Sequence, residues 1–239
     1  MAANKKVVVA GSSVTAGQLK DFFRQVDDGG ITYETLQAFL EHQNPFGENI
    51  TVAPVATNDL LDLDWSKVYE VLGMSGEFVE FAKANEAKLT PRPGLWAVPV
   101  LEGVTLNAVM AAFRKLEVET YQYVEDLDKD VLVNDRDPNR DGSYTVLFRK
   151  TVEADPDQKH RSHSVKCVTF LERLLLGLAY FLTTGKHLDL KSITLCADSR
   201  LTYGFTPIVY WNNDDGELSV QGFNAHHSPG FVRLRAVVS

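Results

Sequence analysis

Cysteine, long apolar runs and positive charge are all scarce in this sequence, and each shortage excludes a class of protein. The only cysteines are Cys167 and Cys196, too few for the disulfide framework of a small secreted domain. Both adjoin apolar stretches, where a buried, reduced thiol is the usual state. The most apolar stretch, residues 174–182, is shorter than the ~20 residues that a membrane-spanning helix needs. We therefore expect a cytoplasmic protein that does not enter a membrane.

The charge balance argues against nucleic acid as the partner. Acidic residues outnumber basic ones by 32 to 24, and the formal net charge is −8. A protein that binds a phosphate backbone needs a basic face with which to displace counterions. Hydrophobic residues make up 44% of the chain and charged residues 23%, which is typical of a globular protein. We therefore expect a protein partner in preference to a nucleic acid.

The first part of the chain has the pattern of a helical region. Amphipathic stretches with capping residues predict helices that begin at Thr15 and Thr32, and further helical stretches follow. Two prolines and a glycine in residues 90–94 mark a change of pattern. The sequence therefore predicts a mainly helical N-terminal region, residues 1–90, and an α+β domain, residues 91–239.

The second part alternates strand and helix patterns. Apolar alternation predicts strands, and capped amphipathic stretches predict helices. The predicted order is strand, helix, strand, strand, helix, strand, which is the βαββαβ order of a ferredoxin-like core. Three more strand patterns follow and predict a C-terminal antiparallel meander. The nine segments are residues 95–100, 105–116, 117–124, 143–152, 169–185, 192–198, 206–212, 217–223 and 231–238.

The stretch NDRDPNRDGSY is the closest approach to a metal-binding motif. Asp137, Asn139 and Asp141, followed by Gly142, match the first half of an EF-hand loop, which places oxygen ligands at positions 1, 3 and 5 and glycine at position 6. Position 12, where the motif has a bidentate glutamate, is Phe148. The sequence therefore suggests a weak calcium site at these three residues. The alternative is a solvated hairpin loop, in which Asp, Asn, Pro and Gly serve the turn geometry.

Histidines suggest a second metal hypothesis. Zinc sites use four converging nitrogen or sulfur ligands, yet no CxxC pair is present and the histidines stand in polar stretches. Solvent-exposed histidines are the alternative interpretation of the same pattern. The candidate ligands are His160, His163, Cys167, His187, His226 and His227.

Several motifs in the C-terminal half resemble a family of bacterial proteins of unassigned function that is frequent in candidate phyla with reduced genomes. The motifs are LERLLLGLAYFLTTGKHLD, TLCADSR, the spaced residues Gly204, Pro207, Val209 and Trp211, and LRAVV. The resemblance extends through YVEDLDKDV and DRDPNRDGSY to TAGQLKDFF near the N-terminus. It implies a bacterial, cytoplasmic origin and assigns no functional residue.

The sequence carries no motif for nucleophilic or phosphate chemistry. It has no G-x-S-x-G elbow and no P-loop. We therefore expect a non-enzymatic binding or protein-interaction protein. The alternative hypothesis is a metal-dependent hydrolase or nuclease that uses the acidic loop and the loop histidines.

Overall fold

The computed structural model of the chain describes residues 61–155, 165–224 and 231–238. The chain divides into two compact units, residues 1–56 and 57–239, and all of the described residues belong to the second. These residues form a mixed α+β fold, which confirms the predicted fold class at that level. The helices predicted to begin at Thr15 and Thr32 lie outside the described residues.

Seven α-helices and nine strands make up the described part of the chain. The helices are α1 (Trp65–Val71), α2 (Ser75–Ala84), α3 (Glu86–Leu89), α4 (Leu106–Lys115), α5 (Leu127–Asp130), α6 (Pro138–Asp141) and α7 (Phe170–Thr184). The strands are β1 (Leu95–Val100), β2 (Thr120–Gln122), β3 (Val131–Asn134), β4 (Tyr144–Arg149), β5 (Ile193–Leu195), β6 (Ser199–Leu201), β7 (Thr206–Asn212), β8 (Glu217–Phe223) and β9 (Val232–Leu234). None of the described helices is long and apolar enough to cross a membrane.

The strands form three sheets. Strand β1 pairs antiparallel with β4, and β3 pairs antiparallel with β6. The third sheet has five strands in the order β2-β8-β7-β5-β9. Its outer pairs, β2 with β8 and β5 with β9, are parallel, and its inner pairs are antiparallel. This sheet is therefore mixed, and its strands come from distant parts of the chain.

The ferredoxin-like core is not confirmed, because the expected strands do not share one sheet. Strand β4 pairs with β1 as that core requires, but β2 and β5 join the five-stranded sheet. Strand β2 is only three residues long, and its partner is β8 of the C-terminal hairpin. In place of a simple meander, β9 lies beside β5 at one edge of the sheet, and β7 and β5 separate it from β8. There the buried side chains of Val232 and Leu234 pack with Cys167 and Leu195 in a small second core.

Helix α7 lies at the centre of the main core. Its N-terminus has the predicted capping box: the Thr169 hydroxyl accepts a hydrogen bond from Glu172 N, and Glu172 Oε2 accepts one from Thr169 N at 2.8 Å. Gly185 ends the helix with φ of 69°, a left-handed conformation that suits glycine. Residues 170–180 are all buried, and the helix packs against α1, α4, β1 and β7.

One buried carboxylate joins α7 to two other segments. Arg173 of α7 donates from Nε and Nη2 to Asp189 Oδ2, at 2.9 and 2.7 Å. Arg235, which follows β9, donates from Nη2 to Asp189 Oδ1 at 3.0 Å. All three side chains are at most 1% exposed. Burial favours the neutral acid, but the two guanidinium charges and the Thr194 hydroxyl outweigh it and hold the pKa of Asp189 below its usual range.

Arg235 makes a further contact, whereas one nitrogen of each arginine has no partner among the described residues. Arg235 Nη1 donates to the Thr151 carbonyl oxygen at 2.9 Å. Arg173 Nη1 and Arg235 Nε have no hydrogen-bond partner among the described residues. A Cβ atom at residue 177 would lie 2.8 Å from Arg173 Nη1, so Gly177 leaves the space that the ion pair needs.

His187 stacks between two aromatic rings next to this cluster. Its ring centroid lies 3.5 Å from that of Trp211, with the rings 4° from parallel, and 4.9 Å from that of Phe181. Burial, and then the nearby positive charge of Arg173, lower the pKa of His187 to about 4. The imidazole is therefore neutral in the folded protein at pH 7.

We predict that Leu175→Ala lowers the free energy of unfolding by about 2–5 kcal/mol, because it leaves a cavity in the core. Leu175 is 0% exposed. Leu132→Ala is the matched control: Leu132 is 64% exposed, and its truncation should change stability by less than about 0.5 kcal/mol. Urea denaturation followed by circular dichroism measures both. Equal effects for the two variants would contradict the central position of α7.

We predict that His187 makes stability fall with acid between about pH 6.5 and pH 4. The unfolded histidine binds a proton near pH 6.5, whereas the folded one resists it down to about 4. Unfolded chains therefore bind more protons in this window, and stability is lost as pH falls. Relative to wild type, His187→Phe keeps an aromatic ring between Trp211 and Phe181 and should gain about 1–2 kcal/mol on going from pH 7 to pH 5. Denaturant titrations of both proteins at the two pH values test this, and an unchanged difference would contradict it.

Candidate functional site

The acidic stretch connects two sheets and is not a hairpin. It follows β3, whose partner is β6, and precedes β4, whose partner is β1. Within it, Asp137 caps the short helix α6 and Pro138 takes its first position. Gly142 ends the helix with φ of 77°. Asp137, Pro138 and Gly142 therefore serve turn geometry, as in the hairpin-loop interpretation. The turn differs from that interpretation because it connects two sheets.

The three predicted calcium ligands accept hydrogen bonds from the protein itself. Asp137 Oδ1 accepts from Asn139 N at 2.9 Å, and Asn139 Oδ1 accepts from Gly103 N at 2.9 Å. Asp141 Oδ2 accepts from Asp137 N at 3.0 Å and from Arg140 Nη2 at 2.6 Å. The hydrogen bond from Arg140 lowers the pKa of Asp141 to about 2.

The same three residues do not line one cavity. Asp137 and Asn139 line a cavity of about 170 Å³ beside the start of α4, whereas Asp141 lines a larger groove. Among the described residues, no group of three or more His, Cys, Asp or Glu side chains is placed to hold a metal ion. His160, His163, His226 and His227 lie outside the described residues, and His187 is the stacked residue next to Asp189. The calcium and zinc hypotheses stay predictions.

A charged cluster stands at the start of α7. The fork of Arg136 donates to both oxygens of Glu172, from Nε at 2.7 Å and from Nη2 at 2.9 Å, and Nη1 donates to Asp198 Oδ2 at 3.0 Å. The Tyr144 hydroxyl donates to Glu172 Oε1 at 2.9 Å. Glu172 is fully buried, so its charge is balanced by Arg136. The sequence pattern identified Glu172 as a helix cap and missed these contacts.

The thiol next to this cluster is not reactive. Cys167 N donates to Asp198 Oδ2 at 2.9 Å, and its carbonyl oxygen accepts from Arg136. Burial, and then the charge of Asp198, raise the pKa of the Cys167 thiol to about 12. Burial also raises the pKa of Asp198. A thiol with this pKa carries almost no thiolate at neutral pH and is a poor nucleophile. Both Cys167 and Cys196 are free and buried.

A groove of about 410 Å³ lies beside this cluster, along one edge of β4. Its floor is apolar, and three charged side chains also line it. The described residues that line it are residues 144–147 of β4, Val237 and Val238 of the C-terminal segment, and Arg136, Asp141 and Lys166. Lys166 is exposed and forms no ion pair within the described residues.

The groove lies where the pairing that the described residues make with β4 stops. On one edge β4 pairs with β1 along its whole length. On the other edge, the pairing that the described residues make is confined to Val238 N, which donates to Leu147 O at 2.9 Å, and to a bridge between Phe148 and Val237. Beyond Leu147, towards Tyr144, the described residues leave this edge uncovered.

The backbone of Thr145 faces the groove. Lys150 N donates towards β1, to Gly94 O at 2.8 Å, whereas Leu147 O faces the other edge. Because backbone groups alternate along a strand, the N–H and C=O of Thr145 point the same way as those of Leu147. Pro99 lies opposite Thr145 in β1 and has no N–H, and its carbonyl accepts from Tyr69 O–H at 2.9 Å, away from β4. The Thr145 hydroxyl oxygen is buried and has no hydrogen-bond partner among the described residues.

Comparison with protein-family models, curated proteins and solved structures finds no match to this chain.

We predict that calcium leaves the melting temperature almost unchanged, because Asp137, Asn139 and Asp141 already accept hydrogen bonds and Phe148 supplies no oxygen. Any calcium site here should have a Kd no tighter than about millimolar. Thermal melts with and without calcium, at matched ionic strength, test this in wild type and in Asp141→Asn, which should be nearly neutral. A calcium-specific rise of several degrees that Asp141→Asn removes would show that the loop binds the ion, since a ligand of the folded state raises its stability.

Proposed function

We propose that this chain is a non-enzymatic binding protein that recognises a protein partner through the groove beside β4. The outer edge of β4, which the described residues leave uncovered at Thr145, carries the proposal: the backbone N–H and C=O of Thr145 point towards a groove with an apolar floor. An exposed strand edge is a template on which another chain can pair. From the family resemblance, we also propose that the protein is bacterial and cytoplasmic.

The charges around the groove favour a protein over a nucleic acid. Arg136 is balanced by Glu172 and Asp198, and Asp141 is paired with Arg140. Among the described residues that line the groove, Lys166 is the one cation without a carboxylate partner. One such cation is far from the row of basic side chains that a phosphate backbone needs. The chain as a whole is also acidic, with a net charge of −8.

The hydrogen bonds between Arg136, Tyr144 and Glu172 at the groove suit binding better than catalysis. Glu172 receives the Arg136 fork and the Tyr144 hydroxyl. Burial, and then the charge of Glu172, raise the pKa of Tyr144 well above its usual value. A general acid or base works best with a pKa near the working pH, and the Tyr144 hydroxyl is far from it. The metal-dependent hydrolase or nuclease remains the alternative hypothesis, and metal analysis of the purified protein separates the two.

The test is a selection of random peptides displayed on phage against the full chain, followed by affinity measurements on purified variants. We expect the selected peptides to bind wild type and to lose at least about tenfold in affinity for Leu147→Glu, because the substitution puts a charge on the apolar floor.

Leu132→Glu is the matched control, since it makes the same change at an exposed position outside the groove. It should bind the peptides as wild type does. Circular dichroism and thermal melts establish that both variants are folded, and Val238→Glu replaces Leu147→Glu if the latter is not. Failure to select any peptide, or equal binding by the groove variant, would contradict the proposal.

A further inference from the structure

We infer that a second surface, on the ribbon formed by β3 and β6, binds a basic segment of a partner protein through apolar side chains. This surface shares no residue with the lining of the groove beside β4, so the inference goes beyond the proposed function. Four exposed apolar side chains form the surface, which we call the ribbon patch: Leu132, Val133, Tyr203 and Phe205.

A β-bulge in β3 turns two consecutive apolar side chains towards solvent. Successive residues of a regular strand point to opposite faces, but the pairing of β3 with β6 changes register between Val131 and Val133. Val131 packs against the main core, whereas Leu132 and Val133 are 64% and 51% exposed. Bulges re-aim side chains in this way and also hinder the pairing of a further strand. The ribbon patch therefore offers side chains, and not a strand edge, to a partner.

The turn after β6 holds an aromatic residue in solvent at a conformational cost. Tyr203 has φ of 64°, a left-handed conformation that is unfavourable for a residue with a Cβ atom, and it is 91% exposed. The Thr202 hydroxyl donates to the Asp130 carbonyl oxygen at 3.1 Å, which fixes the turn beside the start of β3. Strained residues concentrate at binding and active sites, and tyrosine is among the residues that dominate binding energy at protein interfaces. Tyr203 is therefore suited to anchor a partner.

The charges around the ribbon patch favour a basic partner. Residues 125–141, which contain β3, include seven acidic and three basic residues, and all three cations already pair with carboxylates. Asp135, directly after β3, is exposed and forms no ion pair with a described residue. Arg200, opposite Val133 in β6, donates from Nη1 to the Ser199 carbonyl oxygen at 2.7 Å. Even with Arg200 counted, the ribbon and its flanks have an excess of acidic side chains.

This excess of negative charge decides between possible occupants. A second copy of the chain would bring the same acidic residues against each other across a two-fold axis, and each copy has a net charge of −8. A nucleic acid needs a basic surface. A protein segment with lysine or arginine beside apolar side chains complements both the ribbon patch and the acidic residues that flank it. We therefore assign the patch to such a segment.

The probe for the experiment is a set of peptides selected on phage from a library in which every third position is lysine or arginine and the others are random. Selection uses the Leu147→Glu protein, or Val238→Glu, so that peptides that need the groove are not recovered. Affinities are then measured on otherwise wild-type protein. Failure to select any peptide would overturn the inference and leave the proposed function of the groove untouched.

Two variants test the ribbon patch. We expect the selected peptides to lose at least about tenfold in affinity for Leu132→Glu, which puts a charge on the patch, and for Tyr203→Gly, which removes the ring. Glycine suits the left-handed backbone at this position, so Tyr203→Gly should leave the melting temperature of the free protein almost unchanged. Val79→Glu, at a position of α2 that is 48% exposed, is the matched control and should bind as wild type. Wild-type affinity in both patch variants would show that the peptides bind elsewhere.

The charge is tested at Asp135. Asp135→Lys should weaken the peptides by about two- to tenfold, and raising the salt concentration should weaken wild type more than this variant. Glu80→Lys, the same reversal at an exposed position of α2, is the control and should change affinity less. Binding that responds neither to salt nor to Asp135→Lys would contradict the basic character of the partner.

The oligomeric state tests the other occupant. We expect light scattering to give the mass of a monomer for wild type at the concentrations used for binding. A dimer that Tyr203→Gly dissociates would show that a second copy of the chain occupies the ribbon patch, and the inference would then be wrong.

Discussion

Asp189 decides where three separate parts of the chain lie. Its carboxylate, between α7 and β5, receives Arg173 from the central helix and Arg235 from the segment after β9. Two buried guanidinium groups therefore share this one carboxylate. Removing a partner from a buried ion pair costs about 3–5 kcal/mol, because the remaining charge stays buried. With Asp189 gone, two buried cations would be left facing each other, so this carboxylate tolerates replacement less than either arginine.

The groove exists because this interaction fixes the C-terminal segment. Arg235 is held by Asp189 and by the Thr151 carbonyl oxygen. The residues that follow are then delivered to the edge of β4, where Val237 pairs with Phe148. The wall of the groove is therefore attached directly to the buried ion pair, two residues away. A substitution of Asp189 in the core should therefore alter the groove beside β4, although no side chain belongs to both sites.

Local signals in the sequence predict local structure well, but they do not predict contacts between segments that are distant in sequence. The ends of α7 were predictable because Thr169 and Gly185 act on their own helix through capping and through a left-handed turn. The order of the strands was not, since β2 has three residues and its pairing depends on a hairpin almost a hundred positions away. The groove was missed for the same reason. Nothing near Thr145 in sequence shows that the C-terminal segment pairs with β4 at Leu147 and Phe148. The pattern of the acidic stretch indicated metal ligands, whereas its oxygen atoms accept hydrogen bonds from the protein itself.

The ion pair between Arg235 and Asp189 can form only late in translation, after most of the fold has been synthesised. Arg235 meets Asp189 across 46 positions of sequence and Thr151 across 84. Until residue 235 has left the ribosome, Arg173 is the one described arginine that balances Asp189, and no described residue pairs with the outer edge of β4. A nascent chain at that stage exposes one edge of a strand whose other edge is paired with β1, and an exposed strand edge is the kind of surface that aggregates or recruits chaperones. The same edge that we assign to partner binding is thus a surface that needs protection until the segment after β9 docks.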